Sequence, residues 1–94
     1  MSFKPKKAKG LVPARNEEDL GLANEEDKKF YKLDMTFINI WNLCDGTKTE
    51  DDIAKEFLNI VKQNVKKDFK IKEKEFIEDV KNILNRLRKF GLIE

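Results

Sequence analysis

Apolar residues change their spacing once along this chain, close to residue 34. Before that point they come in short punctuated runs: Leu11-Val12-Pro13-Ala14, Leu20-Gly21-Leu22-Ala23 and Lys29-Phe30-Tyr31-Lys32-Leu33. Apolar runs this short, bounded by turn formers, predict strands. Pro13 confines the first to a sheet edge, because proline has no N–H to give to a ladder. Gly21 weakens the middle strand, and the polar stretch Asn24-Glu25-Glu26-Asp27-Lys28 suits a hairpin turn. Alternation in the third strand puts Phe30 and Lys32 on one face and Tyr31 and Leu33 on the other.

After Asp34 the period becomes helical. Phe37, Ile40, Trp41 and Cys44 recur at i, i+3, i+4 and i+7, predicting a helix capped by Asp34 that runs to about Cys44. Asp45-Gly46 stops it, with Gly46 free to turn left-handed. Thr49 caps a second helix, with Asp52 three residues on as an acidic capping box. Ile53, Ala54, Phe57, Leu58 and Val61 form its buried stripe. A third helix starts near Glu73 and ends at Gly91, with Phe76, Ile77, Val80, Ile83, Leu84, Leu87 and Phe90 as a wide apolar face. The order is β-β-β-α-α-α. The class is therefore α+β: a small three-stranded antiparallel sheet at the N-terminus followed by three helices.

Ninety-four residues support one modest core. Residues 1–10 carry four lysines and no acid, and read as a flexible basic tail ahead of a domain spanning 11–94. The net charge of +2 balances 20 basic against 18 acidic side chains, unlike domains that grip phosphate backbones. The chain has no His and one cysteine, so it lacks the commonest general base and any internal disulfide. No apolar run reaches membrane-spanning length and no secretion signal is evident, so a cytoplasmic, non-catalytic domain is expected.

The candidates for chemistry are few. Two helices flanking Asp45-Gly46-Thr47-Lys48 resemble a helix-turn-helix, but the second opens with Glu50-Asp51-Asp52, which would repel DNA phosphates. Those acids make better sense as capping residues. Cys44, among apolar neighbours, reads as a small buried hydrophobe. Trp41 reads as core, with an indole N–H in need of a partner. Glu78 and Asp79 are adjacent on a helix and diverge. Residues 62–74 hold six lysines against Asp68 and Glu73, with Phe69 and Ile71 expected to tuck inward. A solvated loop explains that stretch better than a nucleic-acid patch. What remains is geometric: the Lys29–Leu33 strand lacks proline, and its lysines either act as solubilising gatekeepers or leave the edge open to one chosen peptide that binds by strand addition. On this reading Tyr31→Pro deletes an edge donor.

At residues 37–58, FINIWNLCDGTKTEDDIAKEFL, the sequence resembles the PqqD family of small peptide-binding proteins. Glu78-Asp79-Val80, Leu84-x-x-Leu87 and the ending Phe90-Gly91-Leu92-Ile93 look like that family's last helix and tail. Pro13-Ala14-Arg15-Asn16 is similar to the start of its strands, so the likeness spans residues 11–94. The resemblance implies a winged-helix-like domain that binds the leader segment of a ribosomally made precursor peptide as an added strand. It further implies presentation of that peptide to a modifying enzyme, commonly a radical S-adenosylmethionine enzyme, with no cofactor in the domain itself. Carried onto this chain, the peptide site comprises Lys29, Phe30, Tyr31, Lys32 and Leu33 with Ile77, Lys81, Leu84 and Arg88 of the third helix. Asp79, Ile83, Arg86 and Phe90 form the alternative margin of that helix. Two other readings are a winged-helix nucleic-acid binder and an adaptor whose edge pairs with itself in a homodimer.

Overall fold

The computed structural model describes residues 3–65 and 70–94. Lys66, Lys67, Asp68 and Phe69 of the lysine-rich stretch lie outside the described residues. Strands β1 (Leu11–Asn16), β2 (Asp19–Asn24) and β3 (Phe30–Lys32) form an antiparallel sheet in the order β1-β2-β3. Helices α1 (Met35–Asn42), α2 (Glu50–Asn64) and α3 (Glu73–Lys89) follow. The α+β, winged-helix-like class expected from the sequence is what the chain adopts.

Local signals explain most boundaries. Asp34 Oδ1 accepts the Phe37 N–H at 3.0 Å, which satisfies one of the orphan donors opening α1. Thr49 and Asp52 exchange bonds of 3.2 and 3.3 Å, completing the capping box of α2. α3 closes with a Schellman turn: Leu92 N–H donates to Leu87 C=O at 2.9 Å and Gly91 N–H to Arg88 C=O at 3.0 Å. That turn needs the left-handed backbone of Gly91, φ 75°. It also swings Leu92 and Ile93 back into the core beside Ile40, Trp41, Ile53, Leu84 and Leu87. The Trp41 indole N–H finds its partner there, donating to Leu92 C=O at 3.0 Å.

Three features depart from the sequence reading. Gly21 does not weaken β2; it makes room. A Cβ at this position would collide with the Tyr31 carbonyl oxygen and come within 2.9 Å of Phe30 Cζ, so only glycine lets the Phe30 ring lie over the sheet. Phe90, expected in the core stripe, is 58% exposed. The basic tail is laid down rather than loose from Pro5 onward. Lys6 N–H donates to Glu94 C=O at 3.0 Å, Ala8 N–H to Leu92 C=O at 3.1 Å and Gly46 N–H to Pro5 C=O at 2.9 Å. Pro5 is buried, and Phe3 lies 4.3 Å beneath the Arg88 guanidinium. Backbone pairing with the C-terminal segment holds this strap, and no count of lysines reveals it.

Candidate functional site

A three-stranded sheet has two edges, and the hydrogen-bond phase of each strand decides what each edge offers. On β3, Lys29 C=O accepts from Asn24 N–H at 2.8 Å and Leu33 N–H donates to Leu20 C=O at 3.0 Å. Tyr31 faces Leu22 midway between these bonds. Antiparallel ladders alternate bonded and non-bonded pairs, so Lys29, Tyr31 and Leu33 point their backbone groups at β2. Phe30 and Lys32 therefore turn N–H and C=O to the open side. The third strand is an edge, as expected, but Tyr31 is not its outward donor. A proline at Tyr31 would break the native ladder instead of the edge.

On β1 the phase runs the other way. Glu25 N–H donates to Gly10 C=O at 3.0 Å, and with the Val12–Ala23 and Ala14–Gly21 pairs this directs the even-numbered residues at β2. Leu11, Pro13 and Arg15 face outward. Pro13 thus removes the central donor of that edge. One edge is blunted and the other is open.

Beside the open edge lies a cavity of about 390 Å³ lined by Lys32, Leu33, Asp34, Phe37, Arg86 and Phe90. It joins the end of β3, the head of α1 and the last turns of α3. An adjoining open depression reaches Leu20 and Met35, and Met35 is 54% exposed. Exposed Met35 and Phe90 bracket the edge with apolar surface that the core does not use.

The two halves of the site expected from the sequence do not meet. Lys29 to Leu33 stand at the edge, with Tyr31 and Leu33 packed on the core and Phe30 and Lys32 on the outer face. Ile77 faces α2, beside Lys55 and Leu58. Lys81 Nζ sits 2.6 Å from Asp51 Oδ1, and that hydrogen bond raises the lysine pKa while lowering the carboxyl's. Leu84 is core at 1% exposure, and Arg88 covers Phe3. Arg86 and Phe90, on the alternative margin, line the cavity beside β3. Asp34, Met35 and Phe37 belong to that surroundings too, and the reading of the chain missed them. Asp34 and Phe37 had explanations as cap and core, so nothing about their spacing marked them out.

Several other titratable groups have structural roles. Burial pushes the Cys44 thiol up to about 11, and its Sγ–H donates to Ile40 C=O. Hydrogen bonds from Thr47 hold the Asp45 carboxyl below its ordinary range, and Glu56 raises Lys48. Asp52 is engaged in the cap and Asp51 on Lys81, consistent with capping acids at the head of α2. No helix among the described residues is long and apolar enough to cross a membrane.

These features define a small winged-helix-like domain with one blocked and one open sheet edge. The chain belongs to the PqqD family: the family model, described as coenzyme PQQ synthesis protein D, matches residues 21–93. Its fold is similar to that of TbiB1 in complex with the TbiA(beta) leader peptide, with a TM-score of 0.63 and 18% identity over 95% of this chain and 94% of that one. It is also similar to a lasso peptide synthetase B1 complexed with its leader peptide, with a TM-score of 0.65 and 13% identity over 98% and 99% of the two chains. At these identities the likeness is one of fold. No curated protein matches the chain.

Proposed function

We propose that this protein is a non-catalytic peptide-recognition module that captures the leader segment of a ribosomally made precursor. The leader adds as a strand to β3, and the domain presents it, in the cytoplasm, to a modifying enzyme of the radical S-adenosylmethionine type. The observation that carries this reading is the outward phase of Phe30 and Lys32 beside the cavity between β3 and α3. Membership of the PqqD family supports it, as do two neighbours of like fold that were solved with leader peptides bound. Main-chain bonds to Phe30 and Lys32 give affinity, and alternate side chains of the guest meet the cavity. In this reading α3 contributes Arg86 and Phe90 to the groove, in place of Ile77, Lys81, Leu84 and Arg88.

The reading predicts that genes beside this one encode a short peptide and a peptide-modifying enzyme. Titrating that peptide into the isotopically labelled protein is expected to shift the amide resonances of residues 29–34 and 86–90. Shifts confined to residues 3–10 or to α2 would overturn it.

A further inference from the structure

The cavity beside β3 is not neutral. Its walls from Leu33, Phe37 and Phe90 are apolar, while Arg86 and Asp34 supply charge. Asp34 already accepts the Phe37 N–H through its side chain. Lys32 reaches Asp19 on the outer face at 3.4 Å, a pair exposed on both sides and so worth little. Arg86 has no carboxylate partner among the described residues, and Lys89 lies beside it in the next depression. Its neighbours differ: Arg88 stacks on Phe3, whereas Arg86 opens toward the edge strand. Complementing the helix dipole requires only that these cations be in the last turn, not that one of them line a cavity.

Strand geometry limits which guest residues meet Arg86. Those facing Tyr31 and Leu33 share their face of the sheet, the face toward the helices, and those facing Phe30 and Lys32 point outward. Successive helix-facing guest residues are therefore two apart, a span of about 6.8 Å. Arg86 and Phe90 are one turn apart, about 6 Å along the axis of α3. The two spacings match, and Phe90 with Leu33 and Phe37 offers an apolar seat next to a cationic one.

Resting on the strand-addition reading, we propose that Arg86 is a specificity-determining residue that selects a carboxylate on the incoming strand, two residues from a bulky apolar side chain seated against Phe37 and Phe90. The guanidinium fork pairs with the carboxylate, and cavity walls shield the pair from part of the solvent.

The test uses a displayed library of random dodecapeptides selected on the intact protein. The wild-type chain is expected to enrich Asp or Glu two positions from an aromatic or large aliphatic residue. Replacing that acid by its amide in the best binder should weaken binding about tenfold, and raised salt should narrow the difference. Arg86→Glu should reverse the preference to Lys or Arg, while Arg88→Glu should leave it unchanged. Enriched peptides that shift the Phe30 and Lys32 amides with no charge preference would overturn the selector and leave strand addition standing. Peptides that shift neither amide would overturn both.

Discussion

The two edges of the sheet are a six-residue strand, β1, and a three-residue strand, β3, and they have opposite fates. β1 and β3 each pair with β2 alone, and each turns alternate residues outward. On β1 the outward set is Leu11, Pro13 and Arg15, which combines a missing donor with a charge. On β3 it is Phe30 and Lys32, both with donors intact. Proteins commonly blunt exposed edges with proline and charge, because an open ladder recruits any extended chain. Here one edge is blunted and the other left available next to a cavity. On the strand-addition reading, this contrast directs a guest to β3.

The largest effect should come from removing the glycine that lets β3 sit against β2. Gly21→Val places a branched side chain against the Tyr31 carbonyl and the Phe30 ring, and should cost about 2–3 kcal/mol in urea unfolding. Hydrogen exchange at Tyr31 and Leu33 should accelerate before the helices open. Equal loss of protection throughout would mean the open edge is no separate unit. Next comes Lys32→Pro, which removes an outward donor while leaving the Leu22–Tyr31 pairing in place. Affinity for the guest peptide should fall about tenfold with little change in unfolding midpoint. Tyr31→Pro should instead destabilise the fold. If both variants behaved alike, the assigned ladder phase would be wrong.

Smaller effects refine the picture. The β1–β2 hairpin turns through Glu17 at φ 58°, a left-handed position that glycine occupies without a side-chain clash. Glu17→Gly should gain about 0.5 kcal/mol, after glycine's own entropy is set against the relieved strain. Thermal unfolding would register it, and a loss of stability would show that the turn is held by something other than its backbone. The smallest change in stability, within about 0.5 kcal/mol, is expected for Pro13→Val. Its signature is association: sedimentation should show more self-pairing than the parent chain as concentration rises. Unaltered sedimentation would mean that Arg15 or the strand's twist, and not the proline, closes that edge.

Much of the scaffold was readable because its signals are local. Asp34, Thr49 with Asp52, and Gly91 each bond within a few residues of themselves, so their roles follow from short-range chemistry. The third strand was likewise marked by alternation. Its outward phase was not, since the register with β2 decides whether Tyr31 or its neighbours face the open side. The margin of α3 was similarly hidden. Ile77, Lys81 and Arg88 on one flank and Ile83, Arg86 and Phe90 on the other are both mixtures of apolar and cationic residues. Only contact with α2 and the strap occupies the first flank, leaving Arg86 and Phe90 of the second beside β3.

The strap has a further consequence. Because Lys6 and Glu94 are hydrogen-bonded neighbours, the first and last segments of the fold meet at one corner. A unit with adjacent ends can be spliced into a surface loop of a larger catalyst by two short connectors without being stretched. Tethered in that way, a docked peptide would be held at millimolar local concentration over the catalyst's own active site.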